Sequence, residues 1–354
     1  MKKIVFVMPK LGGGGAERVV STIIQHINKQ KFECSLIVFD GNGDYQNDLP
    51  KGIDIKILSG KSLISNVLAL IKMLRKLKPN VVFSSMRSTS ALLGIIKLLL
   101  PSEVKLVLRE NNTPSVSIAE SRYPWIWKAI YKSIFKNADT IICQSDYMIN
   151  DFKNKFNFTG DNLVRIYNPV DIEMVKNRSQ EGPSPFPDSD KKNVVAVGKL
   201  TSQKGYDILL ESFAFHKEKN RNINLWILGE GKNYKQYKAL SSTLGINNNV
   251  HFVGRQENPF IWMKHADLFI LSSRYEGLPN VLLEALCLGR PVVTTNHPGG
   301  TNEVMSIINS KDRIVDLDWN EHWFENLHID MEIYKSYFDV SVVVNKYEKL
   351  FLRL

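Results

Sequence analysis

Short apolar blocks recur through the first 175 residues, separated by longer stretches of mixed polarity. KIVFVMP, CSLIVFD, VVFSS, KLVLRE and TIICQS have the length and the β-branched content of buried strands. Between them, apolar positions return at helical spacing over 16–29, 63–77 and 125–137. Strands alternating with helices predict a parallel sheet covered on both faces. Periodicity is lost over 176–192, where Pro, Ser and charged residues mark a linker. The pattern then restarts. KNVVAVGKL, NLWILGEG, NVHFVG, DLFILSS and PVVTTN read as strands, with helices over 205–219 and 232–244. The expected fold class is α/β, with two Rossmann-like parallel-sheet domains at 1–175 and 193–335 facing each other across a ligand-binding cleft. The segment YFDVSVVVNKYEKLFLRL predicts one terminal helix over 336–354, placed to pack back on the first domain.

Composition narrows the class. A chain of 354 residues with 44% hydrophobic and 23% charged residues suits a soluble protein of two domains. No apolar run reaches the roughly 18 residues of a membrane span. Lys2 and Lys3 start like a signal peptide, but the apolar run soon meets Pro9 and glycines, so it reads as the first strand. The three cysteines are scattered and form no CxxC, which argues against zinc and disulfides and for a cytoplasmic setting.

The net charge of +10 is uneven. Residues 55–102 hold eight basic residues and no acidic one. Lys128, Lys132 and Lys136 line one side of a helix whose adjoining face carries Trp127, Ile130, Tyr131, Ile134 and Phe135. Such a helix either lies on an anionic membrane or packs its aromatics into a core with its lysines solvated. The acid-free stretch favours the membrane surface. No helix-turn-helix, RNA-recognition or zinc-finger pattern supports nucleic acid as the partner.

Two stretches carry candidate chemistry. Four glycines, Gly12 to Gly15, follow the first strand. A dinucleotide fingerprint fails in either register, because its third glycine falls on Glu17 or Arg18, although Asp40 closes the second strand as an NAD site requires. A flexible turn, or a loop that lets a ligand approach the backbone, remain as readings. In DLFILSSRYEGLPNVLLEALCLGRPVVTTN, a strand ends at Ser272 or Ser273 and a loop carries Glu276. Pro279 suits the first turn of a helix and Gly289 its end, with Glu284 inside. The N–H groups from Leu278 to Val281 then face an anion.

Glu276 and Glu284, eight apart, resemble the E-x7-E motif of retaining glycosyltransferases with the GT-B fold, and EGLPNVLLEAL is similar to the form in glycosyltransferase family 4. IYNPVD (166–171), GKLTSQKG (198–205), HFVGRQEN (251–258), NHPGGTNEV (296–304) and the opening glycine loop resemble further family segments in the same order. The resemblance implies that Gly198, Lys199 and Lys204 hold the donor diphosphate; Lys199 stands where the family usually has Arg. Glu284 would take the ribose hydroxyls. Glu276, with the backbone of Gly277, Leu278, Pro279 and Asn280, would face the donor sugar. Gly254 and Arg255 would lie beside the base. Gly14 and Gly15 would let the donor approach, with Gly13, Arg109 and Glu110 on the acceptor side. Many members carry a His where Asn111 stands; the adjacent Glu110 either polarises the acceptor hydroxyl or pairs with Arg109. After Glu303 the family's glycine-rich strand and two helices look shortened.

The resemblance also implies metal-independent transfer with retention, from a UDP-sugar (GalNAc, GlcNAc, Gal or Glc) to a polyprenyl-pyrophosphate-linked saccharide. The products would be capsule, O-antigen or protein glycan. The enzyme would be peripheral on the inner face of the cytoplasmic membrane. D-S-D (188–190), D-L-D (316–318) and the seven histidines lack metal-site context. The rival readings are a UDP-N-acetylhexosamine epimerase on the same fold, an NAD-dependent oxidoreductase, and a nucleotide-binding protein without catalysis.

Overall fold

A computed structural model describes residues 1–354 except 11, 13, 42–48, 50–51, 59, 61, 188–189, 220–221 and 317–320. The chain forms two units, Met1–Pro169 with Val340–Leu354 and Val170–Asp339.

Unit 1 runs β1 (Lys2–Lys10), α1 (Gly15–His26), β2 (Phe32–Asp40), β3 (Asp54–Ile57), α2 (Leu63–Leu77), β4 (Val81–Ser84), α3 (Arg87–Ile96) and β5 (Lys105–Arg109). It continues with α4 (Pro114–Ala119), α5 (Pro124–Ser133), β6 (Thr140–Cys143), α6 (Asp146–Phe156) and β7 (Leu163–Arg165). The seven strands lie in the order β3-β2-β1-β4-β5-β6-β7, and every pairing is parallel. The blocks read as buried strands are buried here: Ile4 to Met8 of β1 lose all but traces of their surface. Local chemistry sets the helix ends. Ser62 and Ser65 form a reciprocal capping box at the start of α2, and Lys78 closes that helix at φ +46. Ser145 caps α6 by accepting the Met148 N–H.

Unit 2 runs α7 (Ile172–Arg178), β8 (Lys192–Val197), α8 (Tyr206–Lys219), β9 (Ile223–Leu228), α9 (Tyr234–Thr243), β10 (Val250–Gly254) and α10 (Pro259–His265). Then come β11 (Leu268–Leu271), α11 (Asn280–Cys287), β12 (Val292–Thr295), α12 (Thr301–Ile307), β13 (Ile314–Val315) and α13 (Met331–Phe338). Its six strands, all parallel, lie in the order β10-β9-β8-β11-β12-β13. The α/β class with two parallel sheets is therefore as the sequence predicts.

Four features differ from that expectation. The strands β3, β7 and β13 carry no apolar block, and each is the edge strand of its sheet. An edge strand is short and needs no continuous apolar run. The expected linker opens inside α7, whose Asp171 cap and buried Ile172 and Val175 make it part of unit 2. The terminal helix is two helices. α13 stops at Phe338 and α14 (Val340–Arg353) follows. Asp339 between them is extended at ψ 139, because Tyr334 and Phe338 are buried in one unit and Val340 begins the other. Finally, the aromatic side of α5 is core: Tyr131 and Phe135 stack at 4.1 Å and are buried, whereas Lys128, Lys132 and Lys136 are exposed. Tyr123 and Trp125, at the start of that helix, are exposed, and Trp127 is partly buried.

α14 completes the core of unit 1. Val343, Val344, Tyr347 and Phe351 are buried with residues of α1 and β1. The Phe351 ring meets Phe83 at 6.1 Å and Phe32 at 6.2 Å between centroids. Truncating a fully buried Phe costs about 3–5 kcal/mol, whereas the exposed Leu352 has little to lose. Phe351→Ala is expected to destabilise unit 1 in urea unfolding by that amount and Leu352→Ala by less than about 0.5 kcal/mol. Equal effects would remove α14 from the core.

Candidate functional site

In unit 2 the strand order reverses between β8 and β11, so the loops leaving those two strands part and open a gap at their carboxyl ends. β8 delivers Gly198 and Lys199 there; β11 delivers Ser272 to Glu276. The first loop makes one tight turn over Ser202–Lys204 and closes on Gly205 at φ +61. A Cβ on Gly205 would collide with the Ser272 carbonyl, so glycine is required both for the conformation and for the approach. The approach joins the loops: the Ser272 hydroxyl donates to the Lys204 carbonyl at 2.8 Å.

Glu276 lies at the centre. Lys204 Nζ stands 2.6 Å from its Oε1, the Ser273 hydroxyl donates to Oε1 at 2.7 Å, and Gln203 Nε2 donates to Oε2 at 3.2 Å. The carboxylate is buried and the ammonium half-buried. A third loop, 296–300, is laced to the same segment. The Glu276 N–H donates to the Pro298 carbonyl at 3.0 Å and the Gly300 N–H to the Gly277 carbonyl at 2.7 Å. At Gly299 φ is +137, and a Cβ there would run into the Glu276 carbonyl. Arg274 makes a two-pronged contact with Asp207 at 2.8 and 2.6 Å, which holds the Asp207 carboxyl below its ordinary range. His297 is buried between the Thr295 carbonyl at 2.9 Å from Nδ1 and the Thr301 hydroxyl at 3.0 Å from Nε2. Burial pushes its pKa down, so the ring stays neutral and splints this loop.

α11 starts at Asn280 with Pro279 as its cap residue and ends before Gly289, one residue later at the start than expected of Pro279. Leu282 to Cys287 are all buried, Glu284 among them. The Tyr334 hydroxyl of α13 donates to the Leu283 carbonyl at 2.7 Å and fixes the helix from behind. Gly198 packs on Lys204: a Cβ there would stand 3.0 Å from Lys204 Cε. Gly254 ends β10 at φ +72 and accepts the Gly229 N–H at 2.8 Å. Lys199 and Arg255 are exposed. The structure thus gathers Gly198, Lys204, Glu276 and Gly277 around one gap. Sequence reasoning alone misses Gln203, Ser273 and His297, which orient Glu276 and its loop; their signal is adjacency to Lys204, Glu276 and the NHPGG segment.

In unit 1 the residues after β5 turn inward. Arg109 is buried and donates to the Ser85 hydroxyl at 2.9 Å and to the amide oxygens of Asn111 and Asn168. Burial lowers its pKa. The Glu110 carboxylate accepts the Asn111 N–H at 3.0 Å and the hydroxyl of buried Tyr131. The sequence leaves Glu110 between an acceptor hydroxyl and Arg109; its hydrogen bonds go instead to Tyr131 and to its own loop. Asn111 accepts from Ser85 at 3.0 Å and donates to the Ser85 carbonyl. Gly14 caps α1 and Gly15 begins it, while Gly13 lies outside the described residues. Residues 188–189 of D-S-D and 317–318 of D-L-D lie outside them as well. Among the described residues no three His, Cys, Asp or Glu side chains group as metal ligands would, and no helix is long and apolar enough to cross a membrane.

Comparison with known proteins bears on this arrangement. The family model described as Glycosyltransferase Family 4 matches residues 13–174, and the one described as Glycosyl transferases group 1 matches 177–308. An uncharacterized glycosyltransferase of Methanocaldococcus jannaschii is 30% identical over 257 residues, 69% of this chain and 62% of that protein, so the chain spans less than two thirds of it. An N-acetylgalactosamine-N,N'-diacetylbacillosaminyl-diphospho-undecaprenol 4-alpha-N-acetylgalactosaminyltransferase of Campylobacter jejuni is 26% identical over 341 residues, 94% of this chain and 91% of that one. Among solved structures, Anabaena HepE in complex with UDP and glucose superimposes with a TM-score of 0.77 at 17% identity over the whole of both chains. Two glycosyltransferase models in sequence order, laid over two parallel sheets, establish that the chain carries the two domains of a glycosyltransferase with the GT-B fold.

Proposed function

We propose that the chain transfers a sugar, GalNAc, GlcNAc, Gal or Glc, from UDP to a polyprenyl-pyrophosphate-linked saccharide with retention, in assembly of a bacterial surface polysaccharide or glycan. The observation that carries this reading is the Lys204–Glu276 pair at the gap between β8 and β11, 2.6 Å across and supported by Ser273 and Gln203. A departing nucleoside diphosphate gains negative charge as the bond to the sugar breaks. An ammonium group already in place there stabilises it without reorganisation. Lys204 exchanges Glu276 for a phosphate oxygen, exposed Lys199 adds a second cation, and the N-terminus of α11 faces the same charge. Glu276 then accepts hydroxyls of the donor sugar beside the backbone of Gly277, Leu278, Pro279 and Asn280. Glu284 accepts both ribose hydroxyls, and Gly254 and Arg255 lie on the base side. This positive charge comes from the chain itself, so the reading requires no metal.

The acceptor oxygen bonds to the anomeric carbon on the face from which the phosphate oxygen leaves, and its proton passes to that phosphate. No side-chain base is needed, in keeping with a Glu110 that is spent on Tyr131. Arg109, Glu110 and Asn111 shape the acceptor-side loop from within. The UDP and glucose named with the Anabaena structure support the donor. The diphospho-undecaprenol named for the Campylobacter relative supports the acceptor, and its 4-alpha product is the one retention yields from an α-linked donor.

Such an acceptor sits in a membrane. Exposed Lys128, Lys132 and Lys136, with Trp125 beside them, and the acid-free surface of α2 with exposed Ile64 and Leu68, suit an anionic bilayer on the cytoplasmic side.

Hydrogen bonds to charged groups contribute about 1.5–3 kcal/mol. Calorimetric titration with UDP is therefore expected to show at least tenfold weaker binding for Glu284→Ala and for Lys204→Ala, with turnover of UDP-sugars lost in the second. Unchanged affinity in both variants would end the donor assignment. Each lysine near an anionic surface contributes about 1 kcal/mol, so replacing Lys128, Lys132 and Lys136 by Ser should cut co-sedimentation with phosphatidylglycerol vesicles roughly a hundredfold. Equal binding to phosphatidylcholine vesicles would remove the membrane from the reading.

A further inference from the structure

The loop that leaves β8 is laced along its whole length. Each backbone carbonyl from Gly198 to Lys204 accepts a hydrogen bond from within unit 2. The hydroxyls of Tyr206 and Tyr237 reach the carbonyls of Gly198 and Thr201 at 3.2 and 3.0 Å. The N–H groups of Thr201 and Asn233 reach those of Lys199 and Leu200, and the Ser272 hydroxyl takes that of Lys204. The two carbonyls that remain, on the turn just before Lys204, both go to Arg274. Its Nη1 donates to the Ser202 carbonyl at 2.8 Å and its own N–H to the Gln203 carbonyl at 2.7 Å. The guanidinium then spans to the first turn of α8, where the Asp207 carboxylate accepts from Nη1 at 2.8 Å and from Nη2 at 2.6 Å. Arg274 thus holds the chain on both sides of Lys204, at 202, 203 and 207, from a position two residues before Glu276.

A lysine side chain is long and flexible, and a cation stabilises developing charge best when it stands in place beforehand. We propose that Arg274 is the positioning residue for Lys204: by clamping the turn to Asp207 it fixes the ammonium group where a departing diphosphate needs it. The proposal rests on the donor reading, in which Lys204 exchanges Glu276 for a phosphate oxygen. Arg274 acts through the lysine and not as a further phosphate ligand. Its charge is already met by Asp207, and turning to a phosphate would release Ser202 and Asp207 together and free the turn that it holds. The fork of the guanidinium is what the place requires. Two nitrogens serve one carboxylate while one of them also serves a carbonyl, a geometry that the point charge of lysine does not reproduce.

Calorimetric titration of the full chain with UDP compares the wild type, Lys204→Ala, Arg274→Met, Arg274→Lys and the double variant Lys204→Ala/Arg274→Met. Thermal midpoints confirm that each is folded at the temperature of titration. Expected is UDP bound at least tenfold more weakly by Lys204→Ala, at least fivefold by Arg274→Met and at least threefold by Arg274→Lys. The double variant should match Lys204→Ala within twofold, because a residue that acts through the lysine then has nothing left to act on. A role in stability alone would lower the midpoint without this dependence on Lys204. Should Arg274→Met not fold, Arg274→Lys and its combination with Lys204→Ala decide by the same criterion. Losses that multiply in the double variant overturn the proposal, since Arg274 would then act independently of the lysine. UDP affinity in Arg274→Met within twofold of the wild type, with Lys204→Ala weakened, also overturns it and leaves the donor reading standing. A Lys204→Ala variant that binds UDP as the wild type does ends the donor reading and takes the proposal with it.

Discussion

An ammonium and a carboxylate 2.6 Å apart, Lys204 and Glu276, tie together the two loops that leave neighbouring strands at the place where the sheet of unit 2 reverses direction. The topology opens the gap, and the pair keeps its walls in register. Removing one partner of such a pair strands the other, and a stranded buried charge is expensive. Here the carboxylate is over-supplied, since Ser273 and Gln203 remain when the lysine leaves. In the proposed donor reading, that surplus is what would let Lys204 move to a phosphate without abandoning a naked acid. Gly205 and Gly299 allow the backbones of the three loops to close on this point, and neutral His297 keeps the third loop from adding a charge to it.

Unit 1 solves a different problem. Arg109 is a buried cation surrounded by neutral oxygens, those of Ser85, Asn111 and Asn168, with Tyr347 of α14 against it. These residues come from four separate stretches of chain, so the guanidinium gathers the loop after β5, the end of the domain's own sequence and the returning C-terminal helix. Glu110 does the same on the other side, reaching Tyr131 beneath the basic surface of α5. The loop after β5 is thus held by buried groups bonded within unit 1.

Much of this was legible in the residues. Central strands bury both faces and announce themselves as apolar blocks; β3, β7 and β13 sit at edges and do not. The terminal helix reads as continuous because both of its halves are amphipathic, and only the change of unit at Asp339 interrupts it. On α5, the same spacing of aromatics serves a core or a membrane, and it took Tyr131 and Phe135 in the interior to separate the two. Glu276, Lys204 and Gly205 could be found because their motif has a fixed spacing. Ser273 and Gln203 could not, since a polar residue in a loop has many partners open to it.

The donor assignment stands or falls on where a nucleotide lies in unit 2. A crystal structure of the chain with UDP should show the diphosphate at the carboxyl ends of β8 and β11, Lys204 Nζ moved from Glu276 to a phosphate oxygen, and the Glu284 carboxylate at the ribose hydroxyls. UDP bound elsewhere, or bound there with the Lys204–Glu276 pair intact and Glu284 unused, would contradict it.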